Sequence, residues 1–264
     1  SSASAALVAT KARKHSLESG VAVFNRDPAA GVAALVASGC VPPDPAALAS
    51  FLRSRPAGAV DPDALGELFG SPDDAHVAVM RCYVGQEVEA VCCSADGTPP
   101  PPLDEALRAL LARFRLPGEA QKIDRVMEAF AAAYTSACPA GGGGSAFTHP
   151  DGAYLLAFAL VMLNTDAHHP SAARGLGKGD FVGMCQAPVV AAGTGGASGE
   201  GEDGAVPSSS SPTAAPAEEY APVLPPEQLE AMYDRIVARE IAPPEGSAPG
   251  LLGDARTFKA DFAK

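Results

Sequence analysis

Apolar positions along most of the chain recur at helical spacing, and no stretch alternates apolar and polar residues as a half-buried strand would. Residues 1–10, SSASAALVAT, read as a frayed lead-in; Leu17, Val21 and Phe24 then mark a first helix. Asp27-Pro28, Asp44-Pro45 and Asp61-Pro62 each set a capping carboxylate before a residue whose fixed φ suits a first helical turn. Leu48, Phe51 and Leu52 follow one of these pairs, and Leu65, Leu68 and Phe69 another, so three short helices separated by tight turns are predicted. A longer helix is expected over about 73–88. Another begins near Leu103, where Leu103, Ala106, Leu107, Leu110, Leu111 and Phe114 line a single face. An inserted polar and Pro-rich loop, about 92–102, lies between them.

The next helix runs from about Glu119 to Tyr134, with Ile123, Val126, Met127, Phe130 and Tyr134 on its apolar side. The Gly141–Gly144 run breaks it, and Thr148 with Asp151 resembles a capping box. The following segment, AYLLAFALVML, is apolar on almost every face, which suits a central helix or one lying under a partner. Asn164-Thr165-Asp166 is expected to end it. A last amphipathic helix carries Leu229, Met232, Tyr233, Ile236 and Val237, and 242–264 reads as a linker. The fold class predicted is all-α, with about ten helices.

Composition narrows the possible roles. With 264 residues, 47% of them apolar, the chain can bury a sizeable core. Residues 187–222 are low in complexity and carry Glu200, Glu202, Asp203, Glu218 and Glu219 with no basic residue, so disorder is expected there. The net charge is −12 and no cluster of Lys and Arg appears, which argues against a nucleic-acid partner. Six cysteines without a C-x-x-C pair fit free thiols in a reducing compartment. The longest apolar run, Ala153 to Leu163, is too short to span a bilayer. No phosphate-cradling G-x-x-x-x-G-K-[ST] loop and no G-x-S-x-G occur. His168 and His169 are adjacent and have no ligand partner at metal spacing, so no metal and no cofactor are expected.

Two stretches could carry chemistry. In FRLPGEAQKIDR, Phe114 to Arg125, one helix stops at Leu116-Pro117-Gly118 and another starts at once, presenting Glu119 at or beside a sharp corner. A carboxylate in a first helical turn also suits the helix dipole without further function. In AYLLAFALVMLNTDAHHP, Tyr154, Phe158, Val161 and Met162 fall on one side of a helix, either as plain core or as a surface for a partner.

Together FRLPGEAQKIDR and VMLNTDAH resemble the two signature motifs of the Sec seven domain of ARF exchange factors, at that family's separation. Weaker similarity covers roughly residues 11–241 and includes FNRDPAAGVAAL, LDEALRALL and MYDRIVAREI; LNTDAH, VMRCYV and LDEALRAL look most like the large BIG class of plants and algae. The resemblance implies an elongated right-handed superhelix with a hydrophobic groove in its C-terminal half. It also implies a guanine-nucleotide exchange factor for ARF-family small GTPases, met both GDP-bound and nucleotide-free, which makes no covalent bond. Glu119 matches the family's glutamic finger, and Tyr154, Phe158, Val161 and Met162 match the groove that takes up the GTPase switch regions. Asp151 and Asn164 match its polar rim, and Asp124 matches an acidic position that is either an interface contact or a local structural pair.

The sequence departs from the family pattern at His169, a GTPase-contacting position where the family has Asn, and in the missing Asn-rich run after the second motif. Phe158-Ala159 stands where brefeldin-sensitive members have Tyr-Ser, which points to resistance, although Asp166 matches the sensitive pattern. The implied setting is cytosolic and peripheral on Golgi or trans-Golgi membranes, with the membrane reached only indirectly. The competing reading is a non-catalytic helical module that binds a small GTPase or a traffic partner.

Overall fold

Each Asp-Pro pair starts a helix in the computed structural model, which describes residues 2–56, 58–93, 97–138, 147, 149–168, 175–186 and 224–245. Helix α1 (Ser2–Phe24) leads into α2 (Pro28–Ala37), α3 (Pro45–Arg53) and α4 (Pro62–Gly70). Asp27 accepts from Ala30 N at 3.0 Å, Asp44 from Ala47 N at 2.8 Å and Asp61 from Asp63 N at 2.8 Å. Such caps contribute about 0.5–2 kcal/mol each, and Pro at the first helical position removes an N–H that would have no partner. Asp73 repeats the cap for α5 (Asp74–Cys92), accepting from Ala75 N at 2.9 Å. The remaining helices are α6 (Leu103–Leu111), α7 (Ala120–Ala137), α8 (Pro150–His168), α9 (Lys178–Gln186) and α10 (Pro226–Ala238). The fold is all-helical, with ten helices and no strand among the described residues.

Helices α5, α7 and α8 form the spine: α5 packs on α3 and α7, α7 on α8, and α8 on α10. Between α4, α5 and the turn after α6, Phe69, Tyr83 and Phe114 form an aromatic cluster, Phe69 meeting Phe114 edge-on at 4.9 Å between centroids. Buried Glu87 sits 3.0 Å from Arg53 and 3.2 Å from Arg113, joining α3, α5 and the segment after α6. At the other end, α1 and α2 cross in backbone contact. A Cβ at Gly31 would lie 2.2 Å from Phe24 Cα, so only Gly fits there.

Helix α10 is anchored to the spine by apolar and ionic contacts. Leu229, Met232 and Ile236 are buried, and Arg235 makes a bidentate pair with the fully buried carboxylate of Asp104 on α6, at 2.6 and 2.7 Å. Just beyond α10, Ile241 N–H donates to Asn164 Oδ1 at 2.7 Å, and Asn164 Nδ2 donates back to Ile241 O at 3.4 Å.

Three expectations change. Residues 2–10 are helical rather than frayed, because a Ser/Ala-rich run needs little packing to hold helical geometry once α1 is nucleated further along. Asn164-Thr165-Asp166 does not end α8, which continues to His168. Thr165 bonds back to Val161 O at 2.9 Å, and Asp166 accepts from Leu176 N outside the helix. Val237, expected on the apolar face of α10, is 42% exposed in that helix's last turn. Residues 187–222, the Gly141–Gly144 run and Thr148 lie outside the described residues.

Candidate functional site

The corner at Leu116-Pro117-Gly118 is fixed from beneath by α4. Arg115 N–H donates to Pro62 O at 3.2 Å, and a Cβ at Gly66 would lie 2.0 Å from Arg115 O, so the approach to the corner lies directly on the α4 backbone. From the other side, Arg125 of α7 donates to Ser71 O and Gly70 O, both at 3.1 Å, satisfying carbonyls at the C-terminal end of α4. Glu119 takes the N-cap position of α7 with extended backbone (φ −95°, ψ 132°), and its carbonyl accepts from Lys122 N and Ile123 N. Its carboxylate makes no cap bond. It stands 69% exposed, with one oxygen 2.8 Å from Lys122 Nζ. A glutamate is one carbon longer than the residues that cap well, so it extends outward instead of folding onto the helix end.

Asp124 and Tyr154 are brought together. The half-buried Tyr154 O–H donates to Asp124 Oδ1 in a short bond joining the N-terminal halves of α7 and α8. Burial first, and the bonded Asp124 carboxylate second, push the Tyr154 phenol well above the ordinary tyrosine range and keep it a donor. The same phenol ring lies 5.8 Å from the Phe158 ring, centroid to centroid.

The surface of α8 is turned from the expected stripe. Asp151 is exposed, Leu155 and Met162 are half-buried, and Phe158 is 5% exposed. These four follow i, i+4, i+7 and i+11, one line along a helix. Val161, expected on this face, is fully buried, and Asn164 is 1% exposed and engaged with Ile241. Neither contributes surface here, because α10 and the segment after it occupy that side of α8. Asp151 lies 3.2 Å from the His149 ring, and His168 is bonded to Ile236 O at 2.8 Å. His169 lies outside the described residues.

Two residues escaped the reading of the sequence. Lys122 could have been found from its i, i+3 spacing to Glu119, a spacing at which opposite charges meet on a helix. Leu155 could not, because α8 is apolar on nearly every side. A cleft of about 250 Å³ also opens beside the corner, lined by Asp27, Pro28, Glu67, Gly70, His76 and Lys122. It combines acidic and basic groups and sits on the α2–α4 side of the molecule.

A clamped helix–helix corner with an exposed, Lys122-paired carboxylate at its tip, packed through α7 against a largely apolar α8, defines an all-helical module. Residues 13–189 match the Sec7 domain family, and the chain belongs to that family. It is 37% identical over 178 residues to brefeldin A-inhibited guanine nucleotide-exchange protein 2 of Arabidopsis thaliana, covering 65% of this chain and 9% of that protein. A second relative, the ankyrin repeat, PH and SEC7 domain containing protein secG of Dictyostelium discoideum, is 31% identical over 236 residues, 89% of this chain and 20% of its own length. The chain thus spans a tenth to a fifth of the length of these relatives. Among solved structures, the Sec7p catalytic domain superposes with a TM-score of 0.59 at 26% identity, covering 85% of this chain and 95% of that one. A Sec7 domain solved with ARF1-GDP and brefeldin A gives a TM-score of 0.63 over 90% of this chain and 98% of that chain; at 22% identity it speaks to the fold alone.

Proposed function

We propose that this domain is a guanine-nucleotide exchange factor for ARF-family small GTPases and that Glu119 expels GDP. The observation that carries the reading is the exposed Glu119 carboxylate, outside the helix cap and met at its side by Lys122, at a corner held on both sides by Pro62 O, Gly66, Gly70 O and Ser71 O. A rigid corner keeps its acid at one place when a partner arrives, so little ordering entropy is lost on insertion. Membership of the Sec7 family and the exchange-protein names of its relatives support the same reading.

The chemistry is charge competition without a covalent step. A GTPase holds GDP through amides, a Lys and Mg²⁺ around the phosphates. A carboxylate entering that site repels the β-phosphate and competes for the cations. Two unit charges about 4 Å apart at an effective dielectric of about 20 interact by roughly 4 kcal/mol, a gross term equal to about a thousandfold in rate. Half-buried Leu155 and Met162, in line with exposed Asp151 and with Tyr154 at the edge, offer apolar surface for the GTPase's mobile segments, and their burial offsets the cost of inserting the acid. Because Asp124 holds Tyr154, we assign Asp124 the role of a local structural pair rather than a contact. The setting that fits is the cytosolic face of Golgi or trans-Golgi membranes; no described helix is long and apolar enough to cross a membrane.

The test is release of fluorescent GDP from a truncated ARF-family protein. The parent chain accelerates release, and Glu119→Lys abolishes it while still binding the GTPase. Release by Glu119→Lys at the parent's speed would remove the finger assignment. Binding without any acceleration by the parent would select the non-catalytic module instead.

A further inference from the structure

We propose that Lys122 is a positioning residue for Glu119, holding the carboxylate in its outward, insertion-ready orientation before the GTPase arrives. The inference rests on the reading of Glu119 as the group that expels GDP and adds a residue to it. Three observations converge. Lys122 Nζ lies 2.8 Å from Glu119 Oε1, and no cap bond competes for that carboxylate. The lysine stem lies across the end of α4: its Cδ is 2.7 Å from the point where a Cβ on Gly70 would stand, and Pro117 Cβ is 3.4 Å from the same point. The end of α4 that it lies across is itself fixed to α7 by Arg125, through Gly70 O and Ser71 O. The ammonium thus reaches the carboxylate from a stem lying along a fixed part of the fold, the Lys122 side chain being 32% exposed and that of Glu119 69%.

An exposed i, i+3 ion pair contributes little to stability. Its consequence here is orientational. Glutamate has two tetrahedral side-chain torsions next to the backbone, each with three staggered wells, so holding one arrangement raises the population of the competent rotamer by at most about ninefold. Lys122 thus acts on the step in which the acid enters the nucleotide site and not on the initial docking of the GTPase, which uses the face of α8.

The experiment is a double-mutant cycle on the chain, read as GDP release from a truncated ARF-family GTPase over a range of GTPase concentrations. Lys122→Met keeps the unbranched stem and removes the charge. It is expected to lower kcat roughly three- to ninefold with KM unchanged and the melting temperature equal to the parent's. In a Glu119→Gln background, the same Lys122→Met change should have no further effect, because no charged acid remains to orient. A rise in KM at constant kcat would make Lys122 a docking contact and overturn the proposal. An equal loss of kcat with or without the Glu119 carboxylate would overturn it too, while leaving the finger in place. If Glu119→Gln alone releases GDP at the parent's speed, the finger and its positioning residue fall together.

Discussion

Replacing Arg235 with Met tests how α10 is held to the rest of the domain. Its guanidinium meets the wholly buried Asp104 carboxylate at 2.6 and 2.7 Å, and Glu105 stands 3.9 Å from the same Nε. Removing one member of a buried pair costs about 3–5 kcal/mol, because the other is left buried and unpaired. The Arg235 side chain is 36% exposed, so water screens part of that, and roughly 2–3 kcal/mol is expected. Against this, Leu229, Met232, Ile236 and Ile241 are buried, at about 1.5–3 kcal/mol each. Closing a connection as long as residues 187–223 costs roughly 3 kcal/mol by length alone. Helix α10 therefore stays docked in the variant but opens more often. Amide hydrogen exchange in 226–241 should speed up by roughly 30- to 150-fold, with the amides of α3 serving as an internal control. A double variant, Asp104→Leu with Arg235→Met, leaves no stranded charge and should recover most of the protection. If α10 exchanges within about threefold of the parent in the single variant, the ionic pair is not what holds it, and the energetic reasoning fails.

Two further perturbations address the corner and the buried phenols. Gly66→Ala puts a Cβ 2.0 Å from Arg115 O, a backbone atom, and should cost about 1–3 kcal/mol in urea unfolding. Gly70→Ala meets only the movable Lys122 Cδ at 2.7 Å, and should change stability by less than about 1 kcal/mol, since Ala also gains helix propensity. Equal costs at the two sites would contradict the packing. Burial pushes the pKa of the Tyr83, Tyr134 and Tyr154 phenols up, Glu87 adding to the shift at Tyr83 and Asp124 at Tyr154. The unfolded chain ionises these phenols near about pH 10, whereas the folded one keeps them neutral to higher pH. Their contribution to stability is thus complete below about pH 10 and declines as pH rises beyond it. Tyrosinate absorbance should show three of the five tyrosines resisting ionisation until the fold is lost; all five titrating at the ordinary value in folded protein would refute this.

The parts of the fold legible in the sequence were those set by local chemistry. Asp27, Asp44 and Asp61 announce helix starts because a carboxylate one residue ahead of a helix has a fixed geometric task, and all three perform it. Pro117-Gly118 announces a corner for similar reasons. What could not be read depends on distant residues. Asp104 looks like an ordinary acid in a first helical turn until Arg235, far along the chain, is found beside it. The start of α1 was obscured because Leu7 and Val8 are exposed and mark no buried face.

The candidate site divides along the same line. Glu119 could be placed because its surroundings are nearest neighbours in sequence: the corner before it, and Lys122 one turn after it. The exposed face of α8 could not be phased. A helix that alternates apolar and polar residues declares which side is buried, but Ala153 to Leu163 is apolar throughout, so periodicity leaves its rotation undetermined. Tertiary contacts then decide. Asn164 binds the backbone of Ile241 and His168 the carbonyl of Ile236, which fixes one side of α8 against α10. Tyr154 binds Asp124, which fixes another edge against α7. Asp151, Leu155 and Met162 keep surface after both sides are satisfied, and Asn164 is spent on closing the fold. Of the two polar rim positions the resemblance implied, Asp151 stays exposed and Asn164 is the one the chain needs for itself. Leu155 and Met162 are what α8 presents instead.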